Sequence, residues 1–195
     1  MTGLWNLATE QRHPGRLVEG ETLHEMFWNA ARLRSERVWL REKKLGIWRS
    51  WSWQQAAQVV RETAMGLAAI GFEPGDMASI LSNTVVEWVI ADIAILSAGG
   101  VSNGIYPTDA ASQVQYLCAD SGTSVLFVED DEQLDKVLEV RDSLPLLRLI
   151  VVFDMEGLHR LDDPMVISLE RLRELGSAHD RAHPCLLYTS PSPRD

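Results

Sequence analysis

Four short apolar segments alternate with segments of helical character across residues 77–153. They read MASIL, VSNGI, SVLFV and LIVVF, and they begin at Met77, Val101, Ser124 and Leu149. Each has the length of a buried strand, and the segments between them carry apolar residues at helical spacing. Apolar strands that alternate with helices require a parallel sheet covered on both faces. We therefore predict an α/β fold with an open, doubly wound, mainly parallel sheet and flanking helices.

Start and stop signals separate the predicted helices from the strands. Ser52 and Gln55 have the spacing of a capping box, in which a hydroxyl and an amide satisfy free backbone groups at a helix start. The helix that follows is predicted to end at Gly71, because glycine adopts the left-handed cap without steric cost. Thr84 and Glu87 form a second predicted capping box. Further stop signals are Gly99, Gly100 and Gly122.

A helix and a β-hairpin are predicted ahead of the sheet. The helix covers residues 22–33, and its predicted buried face contains Leu23, Met26, Phe27, Ala30 and Ala31. Two β-prone runs around KKLG predict a hairpin that turns near Gly46. Beyond His159 the pattern weakens, and one short helix is predicted at LERLREL, residues 169–175.

Three tryptophans, Trp48, Trp51 and Trp53, lie in and after the second β-prone run. Two interpretations are open: an aromatic platform for a ligand, or packing within the hairpin and the core. Packing is favoured, because indole rings bury large apolar areas wherever a core accepts them.

The net charge of −10 is unevenly distributed. Residues 62–135 hold twelve Asp and Glu and no Lys or Arg, so we expect no nucleic acid partner in this region, where phosphates would meet repulsion. No stretch approaches the roughly 20 apolar residues of a membrane span, and the N-terminus lacks a signal-peptide pattern. Cys118 and Cys185 have no metal or redox spacing. These features are typical of a reduced, cytoplasmic protein.

Motifs that hold phosphate do not follow any predicted strand, since neither G-x-G-x-x-G nor a Walker loop occurs there. Ser82–Thr84 lie where open α/β sheets often bind ligands, but helix capping by Thr84 is the simpler interpretation. Tyr106–Thr108 could line a pocket, although an ordinary strand exit is favoured. The histidines, which show no ligand spacing, are His13, His24, His159, His179 and His183. The residues alone therefore assign no catalytic, cofactor-binding or metal-ligating side chain.

Several segments nevertheless occur in a recognisable order. They are REKKLGIWRSWSW, the GFEPGD turn, the N-x-x-x-E-W arrangement that begins at Asn83, GGV…GIYPT, and VEDDEQLDKV. Together they resemble the N-terminal region of long-chain fatty acyl-CoA synthetases, which belong to the AMP-forming adenylating superfamily. The resemblance covers about Glu21–Asp154 and continues more weakly to about His183. It implies that residues 1–184 are an incomplete N-terminal part of an AMP-binding domain.

The resemblance implies a two-step reaction for the parent enzyme. A fatty acid carboxylate attacks the α-phosphate of ATP in the presence of Mg²⁺, and the thiol of coenzyme A then displaces AMP from the acyl-adenylate. In the family, the phosphate-binding glycine loop, of the form Y-T-S-G-T-T-G-x-P-K-G, lies downstream. We therefore expect the fragment alone to be inactive and to bind none of these molecules tightly. Peripheral membrane contact and a homo-oligomeric state are left open.

The C-terminal tail departs from that loop. Tyr188–Ser190 match its first three letters, but Pro191–Asp195 depart from it entirely, and both of their prolines lack the amide that a phosphate cradle requires. CLLYTSPSPRD, residues 185–195, resembles translated sequencing-adapter read-through. We expect a native sequence up to about residue 184 and a non-native tail after it.

Two alternatives stay open. The parent could be a synthetase of the same superfamily for another carboxylic acid, or the chain could be a stand-alone α/β binding module without catalysis. The gene sequence after Pro184 distinguishes them.

Overall fold

The computed structural model describes residues 20–183. In chain order, the helices and strands of this part are α1 (Leu23–Arg34), β1 (Val38–Lys44), β2 (Ile47–Ser52), α2 (Trp53–Ala69), β3 (Met77–Leu81), α3 (Val86–Ser97), β4 (Val101–Ile105), α4 (Ala111–Ser121), β5 (Val125–Val128), α5 (Asp131–Val140) with a 3₁₀ turn (Arg141–Ser143), β6 (Leu149–Val152), β7 (Val166–Ser168) and α6 (Leu169–Ala182). The tail at residues 185–195 lies outside the described residues.

The main sheet of the described residues has five strands in the order β4-β3-β5-β6-β7. Every neighbouring pair in it is parallel, which confirms the predicted topology. Strand β7 was not predicted. It is three residues long and half-buried, so it lacks the continuous apolar run that marks the other strands.

Helices cover both faces of this sheet. Side chains alternate along each strand, so Ile80 and Phe127 pack toward α2, α3 and α6, whereas Leu81 and Leu126 pack toward α4 and α5. The three inner strands β3, β5 and β6 are buried on both faces, as a doubly wound arrangement requires. None of the helices in residues 20–183 combines the length and apolar character needed to cross a bilayer.

The predicted signals at the two ends of α2 are confirmed. Ser52 Oγ accepts from the Gln55 amide at 3.2 Å, and Gln55 Oε1 accepts from the Ser52 amide at 2.9 Å, which completes the capping box. At the other end Gly71 has a φ of 77°. Its amide and the next one donate to Ala68 and Leu67, a hydrogen-bond pattern that closes the helix.

The second predicted capping box is wrong. Helix α3 begins at Val86 behind the N-cap Val85, and no side chain caps it. The chain makes one further turn after β3, in which the Val85 amide donates to the Asn83 carbonyl at 2.8 Å. Thr84 therefore precedes the position from which its hydroxyl could reach the first free amides of the helix.

Helix α1 and the hairpin form an aromatic layer outside α2 and α3. The ring of Phe27 lies 5.6 Å from that of Trp39 and 5.8 Å from that of Trp53. The predicted face of α1 is correct only in its second half, because Leu23 is 69% and Met26 41% exposed. Packing of the tryptophans is confirmed for Trp51 and Trp53, which contact this layer, but Trp48 is 65% exposed at the end of the hairpin.

Helix α6 is twice as long as the predicted segment and crosses α2 at two glycines. A Cβ on Gly66 would lie 2.3 Å from the Leu172 carbonyl oxygen, and one on Gly176 would lie 1.8 Å from the Glu62 carbonyl oxygen. Ion pairs flank the crossing, Arg61 with Asp180 at 2.6 Å and Arg173 with Glu62 at 2.7 Å. The contact therefore brings two backbones together over a sequence separation of about a hundred residues.

Candidate functional site

The strand order reverses between β3 and β5, since the chain runs from β3 outward to β4 and then returns to the other side of β3. Open α/β sheets bind ligands at the carboxyl ends of the strands beside such a reversal. Ser82 and Asn83 follow β3 at this edge, and Glu129 follows β5. The candidate site is therefore built on the ends of these two neighbouring strands.

One carboxylate oxygen accepts three hydrogen bonds at this edge and links the ends of the two strands. Glu129 Oε2 accepts from Ser82 Oγ at 3.1 Å, from the Asn83 amide at 2.6 Å and from Asn83 Nδ2 at 3.0 Å. The Glu129 amide in turn donates to the Leu81 carbonyl at 3.2 Å. Ser82–Thr84 were correctly placed at the end of a strand, but Glu129 was missed as their partner. The sequence does contain a signal for Glu129. It is an acidic residue directly after a buried strand, and a polar turn follows the strand next to it in the sheet.

A cleft of about 910 Å³ opens along the same edge of the sheet and reaches the hairpin. Its lining is strongly acidic, with the carboxylates Glu42, Glu87, Glu129, Asp154, Glu156 and Glu170. The cations that face it are Lys43 and Lys44, and His159 also lies there. The phosphates of a nucleotide would meet repulsion from most of this surface. The residues present therefore do not fit a nucleoside triphosphate.

The other residues considered from the sequence lie apart from one another. Tyr106 is exposed, and the loop after it is fixed by Lys136 Nζ, which donates to the Pro107 carbonyl at 2.6 Å. Burial lowers the pKa of His24 in α1, and His13 lies outside the described residues. His179 and His183 stack at 4.5 Å at the end of α6. No group of metal-ligating side chains forms within residues 20–183.

We expect Glu129→Ala to lower the free energy of unfolding by about 2 kcal/mol, because hydrogen bonds to a charged group are worth roughly 1.5–3 kcal/mol. Urea denaturation measures this. The matched control is Glu132→Ala, whose carboxylate is exposed and pairs with Lys136 at 3.5 Å, and which is expected to cost less than about 0.5 kcal/mol. Equal losses for the two variants would contradict the organising role of Glu129.

Cys118 is buried on the face of α4 that packs against the sheet, and we expect its thiol to be unreactive. Burial raises the pKa of its thiol to about 11, although hydrogen bonds from Thr123 and Ser79 act in the opposite direction. Because only the thiolate reacts, a disulfide reagent at pH 8 should modify Cys118 at least about 100-fold more slowly in the native protein than in urea. A Cys185→Ser background isolates the signal. Equal rates in the two conditions would show that the site is open.

The sequence is similar to that of a known protein family and of two known relatives. The sequence matches the family described as AMP-binding enzyme over residues 27–192. It is 37% identical over 137 residues to the long-chain-fatty-acid–CoA ligase FadD15 of Mycobacterium bovis, covering 70% of this chain and 22% of that protein. It is 32% identical over 135 residues to the long-chain-fatty-acid–CoA ligase ACSBG2 of Xenopus laevis, covering 69% of this chain and 18% of the relative.

A solved structure shares the fold. The crystal structure of the anthranilate CoA ligase AuaEII in complex with anthranoyl-AMP superposes with a TM-score of 0.68 at 20% identity, covering 83% of this chain and 28% of that one. The chain thus spans about a fifth of the length of the two ligases to which its sequence is similar. Because the family match covers most of its residues, the chain belongs to the AMP-binding enzyme family.

Proposed function

We propose that the chain is the N-terminal part of a long-chain fatty acid–CoA ligase, which converts a fatty acid and ATP to an acyl-adenylate and then transfers the acyl group to coenzyme A. The observation that carries the proposal is the family match over residues 27–192, combined with the relatives above 30% identity, whose names give this activity. Long-chain acids are favoured over other carboxylic acids because both of those relatives carry that designation.

The part of the chain that the structure describes supplies a scaffold in this proposal. The carboxyl edge of its sheet offers six carboxylates and two lysines, which is the wrong charge balance for ATP. An adenylating reaction needs cations and backbone amides placed around the phosphates, because negative charge accumulates there in the transition state. We therefore propose that the groups that hold ATP, Mg²⁺ and coenzyme A belong to the remainder of the enzyme, and that the chain as given is inactive.

The proposed domain boundary depends on the tail. We propose that the native sequence extends to about residue 184 and that residues 185–195 are not native. The family match runs through residue 192 and so includes Tyr188–Ser190, the three letters shared with the glycine loop. A boundary after Ser190 is the competing position, and the gene sequence distinguishes the two.

Sequencing the source gene across codon 184 tests the proposal. We expect the reading frame to continue into a glycine-rich loop of the form Y-T-S-G-T-T-G-x-P-K-G and through several hundred further codons. A stop codon within the native sequence near codon 184 would instead support a stand-alone module and would contradict the proposed function.

A further inference from the structure

The end of the β1–β2 hairpin, residues 43–49, exposes large apolar side chains to solvent. Leu45 is 92% exposed, Ile47 68% and Trp48 65%. The register places Lys43 opposite Trp48 and Lys44 opposite Ile47, so apolar side chains lie on both faces of the hairpin and at its end. Single exposed apolar residues are common on proteins, but three within four consecutive positions form a patch that indicates an interaction.

The turn itself is built at a conformational cost. Leu45 and Gly46 have φ values of 51° and 81°, the left-handed conformation of a tight hairpin turn. Glycine and asparagine adopt this conformation readily, whereas a leucine does so rarely. Leu45 is the only non-glycine residue with positive φ among residues 20–183. Leu45 thus adopts an unfavourable backbone conformation although its side chain is almost fully exposed, which points to a role for this side chain outside the folded chain.

Basic side chains surround the apolar end. Arg41, Lys43, Lys44 and Arg49 are exposed, and Glu42 is the one acid between residues 38 and 50. None of these four cations takes part in an ion pair within the described part of the chain. The hairpin is thus a locally basic element of a protein whose net charge is −10, and its Lys43 and Lys44 also border the acidic cleft.

The spacing along the strands separates Arg41 and Arg49 from the apolar side chains, whereas Lys43 and Lys44 lie level with Trp48 and Ile47. At roughly 3.4 Å per residue, Arg41 and Arg49 lie about 10–14 Å from the turn, while Leu45 and Trp48 lie within about 10 Å of it. Interfacial elements bury their apolar side chains about 5–10 Å below the headgroup level of a bilayer. Indole rings prefer this interface, and lysine and arginine reach back from it to the phosphates.

We propose that residues 43–49 dock end-on onto an anionic phospholipid surface. Leu45, Ile47 and Trp48 enter the interface, and the basic residues contact the headgroups. A nucleic acid would also attract the cations, but the aliphatic side chains of Leu45 and Ile47 have no favourable contact with a sugar–phosphate backbone. The inference does not depend on the proposed enzymatic function, because it rests on the hairpin alone.

Vesicle co-sedimentation of the 195-residue chain tests the proposal. We expect binding to vesicles that contain about a quarter phosphatidylserine in phosphatidylcholine, and binding at least about tenfold weaker to pure phosphatidylcholine. Raising the salt concentration from about 0.1 M to 0.5 M should weaken the first interaction, because it screens the attraction between charges. Inorganic phosphate at millimolar concentration should not compete, since it offers nothing to the apolar side chains.

Leu45→Asn separates a role in binding from a role in folding. Asparagine suits the turn better than leucine, so the melting temperature should stay the same or rise, while vesicle affinity should fall about tenfold. Lys43→Gln combined with Lys44→Gln should weaken binding about 25-fold, at roughly fivefold for each cation. The controls are Tyr116→Ser on α4 and Arg160→Gln, which remove an exposed aromatic ring and a cation elsewhere and should leave affinity unchanged.

Four results would overturn the proposal. The first is equal binding to neutral and anionic vesicles, or no binding to either. The second is unchanged affinity of the Leu45→Asn variant. The third is displacement from vesicles by a single-stranded oligonucleotide at equal phosphate concentration. The fourth is loss of vesicle binding in the protein extended through its downstream gene, which would show that the rest of the polypeptide covers the hairpin.

Discussion

Replacing Gly176 with alanine is expected to lower the free energy of unfolding by about 3 kcal/mol. The added Cβ would lie 1.8 Å from the Glu62 carbonyl oxygen and 2.5 Å from the Gly66 amide nitrogen. Both atoms belong to the backbone of α2, so the clash cannot be relieved by a rotamer change, and the two helices must separate. Alanine favours helices over glycine by about 1 kcal/mol, and the expected loss is net of that gain.

Thermal unfolding measures this effect. A loss of about 3 kcal/mol corresponds to a decrease in melting temperature of roughly 6–12 °C for a chain of this size. The matched control is Ser177→Ala, which adds no atom at the crossing and should stay within about 0.5 kcal/mol of the parent. A Gly176→Ala variant that is as stable as the control would show that α2 and α6 do not approach this closely.

Local signals explain why most of the sheet could be predicted. The four apolar strands, the capping box at Ser52 and the left-handed stop at Gly71 each depend on residues within a few positions of one another. Such features are encoded by periodicity and cap chemistry, which a single sequence displays. The parallel arrangement then follows from the alternation of buried strands with helices.

The features that were missed depend on residues distant in sequence. Glu129 reaches the turn at Asn83 across 46 positions, and the helix after this turn begins at Val86 without the expected cap from Thr84. The glycine crossing joins Gly66 to α6, which no local pattern indicates. Exposure of Leu23 and Trp48 likewise depends on which surfaces other elements cover, and helical spacing alone does not specify that.

The candidate site was less predictable than the fold for a related reason. The sequence correctly placed Ser82–Thr84 at a strand end, but it assigned no chemistry to them, and the cleft shows why. Its acidic lining combines side chains from the hairpin, from the start of α3, from the segments that follow β5 and β6, and from the start of α6. Convergence of five separate segments is a property of the topology, so it became visible only with the sheet order.

The chain as given is expected to catalyse no acyl-adenylate formation. Loss of one preorganised donor in such a site commonly costs 100- to 1,000-fold in rate, about 3–4 kcal/mol. The reaction needs cations around the phosphates, whereas the cleft of the described residues is lined mostly by carboxylates, and the tail carries Pro191 where the family's loop has its first glycine. A protein extended through the native downstream gene should regain these groups and exceed the chain by at least about 1,000-fold.

Palmitate-dependent exchange of pyrophosphate into ATP is the measurement that tests the central claim most directly, because it reports adenylate formation without the thioester step. The account predicts exchange by the extended protein with palmitate, little with acetate, and background levels from the 195-residue chain with either acid. Exchange by the 195-residue chain would contradict the assignment of the phosphate-binding groups to the remainder of the enzyme. If the folded, extended protein showed no exchange with either acid, this result would contradict the proposed ligase function itself.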